Sequence, residues 1–471
     1  MRGNRFILCV LWVWLAGAPA ALGEESWRFI MTCDSRGGAS GVNEESVSEL
    51  VGEILQARVD LVLFAGDLVY GAGAGPAEFE EQLWHWVRVM QPVYDAGIRV
   101  YVCRGNHEIG DMWDALPGEL PDPKDNYALR WVNVFGDSKH PEVKLPDNGP
   151  DGEKFMTYSV VHKNAMVVAL DEYAGMGHRL AHSVNQAWLQ SQLDGNTKPH
   201  VLVFGHEPAF RALPRECLDV YPAARNMFWH SLQRGGARMY LCGHDHFYDH
   251  TRIDDGDNDP DNDIHQFIVG TAGAYPYTWM PSYDGNNGDY TVEQVYHAER
   301  YGYLLCEVNG LSMTATWMER QDNNLNTPGV YKARDAWTYQ VSPNLVVLRP
   351  AAGEWVPAGR PYIIRWKSVD GAQIGRVFIE YSLDGGAHWA LADEVENTGA
   401  FTWFAPYLSS DRCLVRVSSV RNPALKAVTD GTFAISRCKV MLSADLNGDC
   451  RVDFADLAIL AGQWLAPGAQ Q

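Results

Sequence analysis

Leu61-Val62-Leu63-Phe64-Ala65-Gly66-Asp67-Leu68-Val69-Tyr70 decides the fold, because an unbroken apolar run stops there at Gly-Asp with a tyrosine three positions on. A half-exposed strand alternates polar and apolar side chains, so an unbroken run predicts a strand buried on both faces. Asp67 then lies at the strand's carboxyl end, where open α/β sheets place their ligands. Outward from this stretch the same text recurs. Trp27–Cys33 runs into Asp34-Ser35-Arg36-Gly37-Gly38, and Ile98–Cys103 into Arg104-Gly105-Asn106-His107-Glu108. Ala165–Leu170 ends in Asp171-Glu172-Tyr173, His200–Phe204 in Gly205-His206-Glu207-Pro208, and Met239–Cys242 in Gly243-His244-Asp245-His246. Helical spacing separates the early strands: Val47, Leu50, Val51 and Ile54 behind an Asn43 cap, then Phe79, Leu83, Trp86, Val87 and Met90. Strand, helix, strand, helix, strand predicts a layered α/β domain.

The chain has 471 residues, 46% apolar and 11% aromatic, which is enough for two or three domains. With 59 acidic against 38 basic residues the formal charge is −21, which argues against a nucleic-acid-binding surface. Residues 1–23 read as a secretory signal: Arg2 and Arg5 precede the short apolar core Phe6–Leu15, with Ala18-Pro19-Ala20 or Ala21-Leu22-Gly23 as the cleavage site. The core is too short for an ordinary membrane span, and no later stretch is long and apolar enough to cross a bilayer. The protein is therefore expected to be secreted, extracellular or periplasmic. Cys33, Cys103 and Cys242 read as small core residues, whereas two of Cys413, Cys438 and Cys450 could pair in an oxidising compartment.

The first domain is expected over 24–320, with a long excursion at 109–150 and a polar linker at 321–342. From 343 to 436, alternating strands such as Tyr362–Trp366, Val377–Tyr381 and Cys413–Val417 are parted by turns such as Asp384-Gly385-Gly386. That is the text of a small all-β sandwich, and it resembles the fibronectin-III or immunoglobulin-like modules of secreted enzymes. In the tail, 443–466, Asp445, Asn447, Asp449, Asp453 and Asp456 fall at calcium-loop positions 1, 3, 5, 9 and 12, with the Arg451 carbonyl at 7 and a helix following. This resembles one repeat of a dockerin-type calcium module, which normally carries two. The C-terminal modules are the place to expect a protein or cell-surface partner. The acidic run 254–263 lacks the loop spacing and reads as a solvated turn.

Collected, the strand ends offer carboxylate, amide and imidazole donors, a set that suits transition metals of intermediate hardness. Asp34, Gly66-Asp67, Gly105-Asn106-His107-Glu108, Gly205-His206 and Gly243-His244-Asp245-His246 together resemble the calcineurin-like metallophosphoesterases. Gly66-Asp67-Leu68-Val69-Tyr70 and Val203-Phe204-Gly205-His206 resemble the purple acid phosphatases within that superfamily. The resemblance implies a layered β-sandwich flanked by helices, holding two metal ions bridged by Asp67. One ion, iron by the phenolate of Tyr70, would take Asp34, Tyr70 and His246. The other, iron, zinc or manganese, would take Asn106, His206 and His244.

The implied activity is hydrolysis of a phosphoester by a metal-activated hydroxide, monoester or diester. His107 would stabilise the transition state or protonate the leaving group, unless it only orients a metal ligand. Arg36 stands where many such enzymes have a ligand histidine, and is read either as a fork for substrate phosphate or as the partner of an acidic neighbour. Alternatives are a nucleotidase or phosphodiesterase of the same fold, and a non-catalytic secreted binding or scaffold protein. His178 and His182, in the 172–185 loop, read as surface residues.

Overall fold

The computed structural model describes residues 26–71, 74–110, 127–137, 139–173, 181–280, 289–369, 374–439, 444–447 and 450–465. The expected signal, His178, Asp449 and much of the 109–150 excursion lie outside the described residues.

Two sheets face each other. The first has the order β13-β12-β11-β1-β2-β3. It joins β1 (Ser26–Thr32), β2 (Leu61–Ala65) and β3 (Arg99–Cys103) in parallel. β11 (Gly302–Asn309), β12 (Ser312–Arg320) and β13 (Tyr331–Gln340) extend it antiparallel. The second has the order β10-β8-β9-β7-β6-β5-β4. Its parallel centre is β5 (Ala165–Ala169), β6 (His200–Phe204), β7 (Met239–Cys242) and β9 (Ile264–Val269). β4 (Tyr158–His162), β8 (Tyr248–Asp254) and β10 (Thr291–Ala298) complete it.

The period-2 geometry of a strand explains the unbroken apolar text. Ala165, Val167, Ala169, Leu202, Phe204, Met239 and Leu241 point into the core shared with the first sheet. Their neighbours Met166, Val168, Val201, Val203 and Tyr240 pack outward with Leu189, Leu193, Phe228 and Leu232 of α4 (Gln186–Gly195) and α5 (Pro222–Gly235). Over the first sheet, α1 (Glu44–Ala57) buries Val47, Leu50, Val51 and Ile54, and starts where the Asn43 side chain accepts from the Ser46 N–H. α2 (Pro76–Asp95) packs beside it, and α3 (Tyr127–Phe135) is a helix within the expected excursion, burying Trp131, Val134 and Phe135. The three early cysteines are buried and unpaired, as expected of core residues.

The expected linker at 321–342 is corrected in part, because β13 pairs with β12 along its length. Its polar text is that of an edge strand with one wet face. Tyr339 is buried, Trp337 stacks on His265 at 4.1 Å, and Asp335 accepts from Tyr248 Oη and His250 Nδ1 at 2.7 Å each. Alternation over only three inward positions, one of them an aspartate, hides the strand from hydropathy.

Downstream, β14 (Asn344–Arg349), β16 (Pro361–Val369) and β19 (Ala400–Phe404) form one sheet. It packs on a second built mainly of β22 (Phe433–Ser436), β20 (Ser410–Ser419), β17 (Arg376–Ser382) and β18 (Ala390–Glu396), around Trp366, Ile379, Trp403, Val415 and Ile435. β15 (Trp355–Pro357) lines the edge beside β22, and β21 (Lys426–Val428) pairs with β20. The tail carries α6 (Phe454–Leu465) and a Cys438–Cys450 disulfide. Asp456 Oδ1 accepts from the N–H groups of Leu446 and Asn447, Asp456 Oδ2 from Asp453, and Asp445 Oδ2 from Cys450. No described helix is long and apolar enough to cross a membrane.

Candidate metal centre

The strand-end loops of both sheets meet at one edge. Asp34 follows β1, Asp67 follows β2, Asn106 and His107 open the turn after β3, His206 follows β6, and His244 and His246 follow β7. Asp34, Asp67 and His244 hold left-handed backbone at φ 62°, 49° and 71°. Such conformations cost a non-glycine residue roughly 1–3 kcal/mol each and persist where the surroundings over-determine them. Glycine precedes Asp67, Asn106, His206 and His244 because the loops nearly touch. A Cβ on Gly105 would collide with Asp67 Oδ1, and one on Gly243 with Cys33 Sγ and Asp34 Oδ2.

Two buried glutamates clamp these loops through their backbones. Glu108 accepts from the N–H groups of Asp67 at 2.9 Å, Gly105 at 2.6 Å and Val69 at 3.2 Å. Glu172 accepts from His206 N–H at 2.8 Å, Glu207 N–H at 2.6 Å and Tyr240 Oη at 2.6 Å. Burial, then a neighbouring carboxylate (Asp67 for one, Glu207 for the other), pushes each up to about 8. Both residues stand in the quoted strand-end text, yet a glutamate that folds back onto backbone has no signature of its own. Behind them Arg104 forms a two-point pair with Asp171, at 2.8–3.1 Å, with both side chains buried.

The donor atoms converge. Asn106 Oδ1 lies 3.1 Å from His206 Nε2 and 3.0 Å from His244 Nδ1, and His206 Nε2 lies 3.4 Å from Asp67 Oδ1. Across the cluster His246 Nε2 is 3.4 Å from Asp34 Oδ1. Ligand atoms of Asp34, Asp67 and His206 all fall within 4.8 Å of one another, and all three residues are buried.

Whether a cation fits is decided by the protons. His206 Nδ1 sits 2.7 Å from the Ala65 carbonyl, which can only accept, so Nδ1 carries the hydrogen and a neutral ring presents a lone pair at Nε2. That lone pair faces two oxygens, Asp67 Oδ1 and Asn106 Oδ1. Three electron-rich atoms packed this closely need either a cation or an extra proton. Without the cation the proton goes to His206: burial opposes it, but Asp67 and Asp34 outweigh burial and push the ring up to about 9. Asp67 itself is held well below the usual carboxylate range, burial being outweighed by His206, His107 and Arg36. Asp34 Oδ1, Asn106 Nδ2 and His244 Nε2 are buried with no hydrogen-bond partner among the described residues. The set Asp67, Asn106, His206 and His244 fits one transition-metal ion.

The remaining expected residues fall differently. His107 is buried, with Nδ1 2.5 Å from the Tyr70 carbonyl and Nε2 3.8 Å from Asp67 Oδ2. Tyr70 is 50% exposed, and its ring leans on His107 at 5.6 Å. No hydrogen bond of its hydroxyl to Asp34 or His246 is found among the described residues, and its place as a ligand stays an expectation. Arg36 reaches into the cluster, with Nε 3.3 Å from Asp67 Oδ2 and Nη2 3.2 Å from His246 Nε2. Of its two expected roles, pairing with an acidic neighbour is the contact the structure contains.

His182 is half-buried and paired, where a surface residue was expected. Its Nδ1 lies 2.8 Å from the buried Glu207 Oε1, next to His206. Arg215 and Tyr277 also border the site and were not legible in the sequence. Tyr277 stacks on His246 at 4.0 Å, Arg215 lies 5.1 Å from the Tyr277 ring, and Arg215 Nη1 donates to the His244 carbonyl at 3.2 Å.

No curated protein matches the chain. Residues 41–248 match the family model described as Calcineurin-like phosphoesterase, a span that carries Asp67, Asn106, His206, His244 and His246, and this supports the metallophosphoesterase superfamily for the first domain.

Proposed function

We propose that the chain hydrolyses phosphate esters at a metal centre built on Asp67, Asn106, His206 and His244, and that residues 1–23 direct it out of the cytoplasm. The observation that carries the reading is the meeting of Asp67 Oδ1, Asn106 Oδ1 and His206 Nε2 with the His206 proton already committed to Ala65. The donor set suits zinc, manganese or iron. When bound, such an ion supplies Lewis acidity and a hydroxide nucleophile near neutral pH.

The chain's own groups do the rest. Glu108 and Glu172 hold the loops of Asp67 and His206 by their N–H groups, so the donors are preorganised before substrate arrives. His107 donates its Nδ1–H in a hydrogen bond to the Tyr70 carbonyl, so any proton it passes to a leaving oxygen departs from Nε2. Burial lowers the pKa of His107 against the pull of Asp67, so the ring carries that second proton only on the acidic side of neutrality.

Turnover of p-nitrophenyl phosphate, bis-p-nitrophenyl phosphate and nucleotides, with and without chelator, tests the reading and separates monoesterase, diesterase and nucleotidase. No chelator-sensitive turnover on any of them, or on a wider phosphoester panel, would overturn it in favour of a binding protein. The disulfide between Cys438 and Cys450 supports an oxidising compartment, and fractionation of cells expressing the full chain checks the location.

A further inference from the structure

The second ion implied by the family meets a competitor. Arg36 lies two residues past Asp34 in a loop fixed at several points. Arg36 bridges to Val42, Ser35 Oγ donates to the Leu68 carbonyl at 2.8 Å, and Trp86 Nε1 donates to Ser35 Oγ at 3.0 Å. A guanidinium has only donors, and it stays protonated at any working pH. His246 Nδ1 is 3.0 Å from the Tyr275 carbonyl, so that nitrogen carries the ring hydrogen and Nε2 offers one lone pair. Arg36 Nη2, 3.2 Å away, takes it.

Asp67 is divided in the same way. Oδ1 faces His206 Nε2 and accepts from the His107 N–H at 3.0 Å, while Oδ2 faces Arg36 Nε at 3.3 Å. A metal at the first position would need His246 Nε2 and an oxygen of Asp67 not already facing His206, and both His246 Nε2 and Asp67 Oδ2 lie in contact with the guanidinium. Of the expected ligands there, Tyr70 stays half-exposed and only Asp34 Oδ1 is left uncommitted. A divalent or trivalent cation against a fixed guanidinium is also repelled. The residues of the first position therefore do not fit a second ion, whereas those of the second position fit one.

We propose that this is a one-metal centre in which the guanidinium of Arg36 replaces the second ion, and that it contributes its fixed positive charge and free N–H groups to a phosphoryl oxygen of the substrate. Nη1 has no hydrogen-bond partner among the described residues, so the planar fork keeps donors for such an oxygen. This rests on the phosphoesterase reading above.

The test is manganese loading of the full chain, read by electron paramagnetic resonance alongside metal counting. Two ions sharing a carboxylate bridge give an exchange-coupled spectrum; an isolated ion in this site or in the tail does not. Wild type should give no coupled signal, and its iron-loaded form no tyrosinate-to-iron absorption band. Arg36→His, which removes the guanidinium and supplies an imidazole, should add one ion per chain and the coupled signal. Arg36→Lys, which keeps the charge, should stay uncoupled, and circular dichroism checks that each variant folds. A coupled pair in wild type, or no added ion in a folded Arg36→His, overturns the one-metal proposal and leaves the phosphoesterase reading standing. Failure of wild type to take up any ion that His206→Ala abolishes overturns both.

Discussion

Replacing Arg104 with methionine strips the counter-charge from a buried carboxylate directly behind the Asn106 loop. Asp171 is 0% exposed and Arg104 2%, and they meet through Nε–Oδ1 at 3.1 Å, Nη2–Oδ1 at 2.9 Å and Nη2–Oδ2 at 2.8 Å. Breaking a buried pair by removing one member costs about 3–5 kcal/mol, because the remaining charge stays desolvated. The folded variant can escape part of that cost by protonating Asp171, which raises its pKa above the unfolded value of about 3.9. Over the window between those two values the folded state then holds the extra proton, so stability falls as pH rises, by up to about 1.4 kcal/mol per unit.

The expected result in denaturant melts of the full chain is a loss of about 3–5 kcal/mol at pH 8 for the transition of the first domain, shrinking toward pH 5. Arg104→Met with Asp171→Leu should recover most of it, since an apolar pair needs no compensation. A loss below about 1 kcal/mol, or an equal loss at pH 5 and pH 8, would refute the claim that this pair is a desolvated clamp.

His206→Ala should remove chelator-sensitive phosphoester turnover by more than the roughly 10–100-fold expected for losing a group that only orients a ligand, with circular dichroism unchanged; near-wild-type turnover would remove His206 from the centre. Glu108→Gln leaves one oxygen to accept and turns an amide NH2 toward the Val69 N–H or toward those of Asp67 and Gly105, and above pH 8, where the carboxylate is ionised, should cost about 1–3 kcal/mol and weaken metal binding, measured by melts and competitive chelation. Unaltered affinity would mean that Glu108 does not hold the Asp67 loop. Burial lowers the His182 pKa, but the hydrogen bond and charge of Glu207 raise it above 6.5 overall. The ion pair therefore stabilises fully below about 6.5 and is lost as pH rises through the folded value. His182→Asn should be destabilising at pH 5.5 and close to neutral at pH 9, read as the change in Tm.

The core of the first domain was legible because β2, β5, β6 and β7 are buried on both faces, which leaves an unbroken apolar run in the text. Asp67, Asn106, His206 and His244 were legible as candidates because each follows such a run behind a glycine, and glycine is what the crowded loops require. β13 was not, since an edge strand with an aspartate on its inner face has no hydropathic signal. His182 and Arg215 were not either: each meets its partner from a distant loop, and no local spacing encodes that.

The sequence by itself determined which side chains stand at the strand ends, because one buried strand after another stops at a polar residue. Only the tertiary structure decided who shares whose lone pair. Tyr70 and Arg36 both lie near the first metal position in the chain's text, and sequence favoured the tyrosine as replacement ligand. In the folded protein the half-exposed Tyr70 ring lies 5.6 Å from that of His107, while the loop pinned by Ser35 and Val42 carries the Arg36 guanidinium to Asp67 and His246. The order of residues along a strand end says which groups are close; the path of the loop between Ser35 and Val42 is what sets Arg36 against Asp67 and His246.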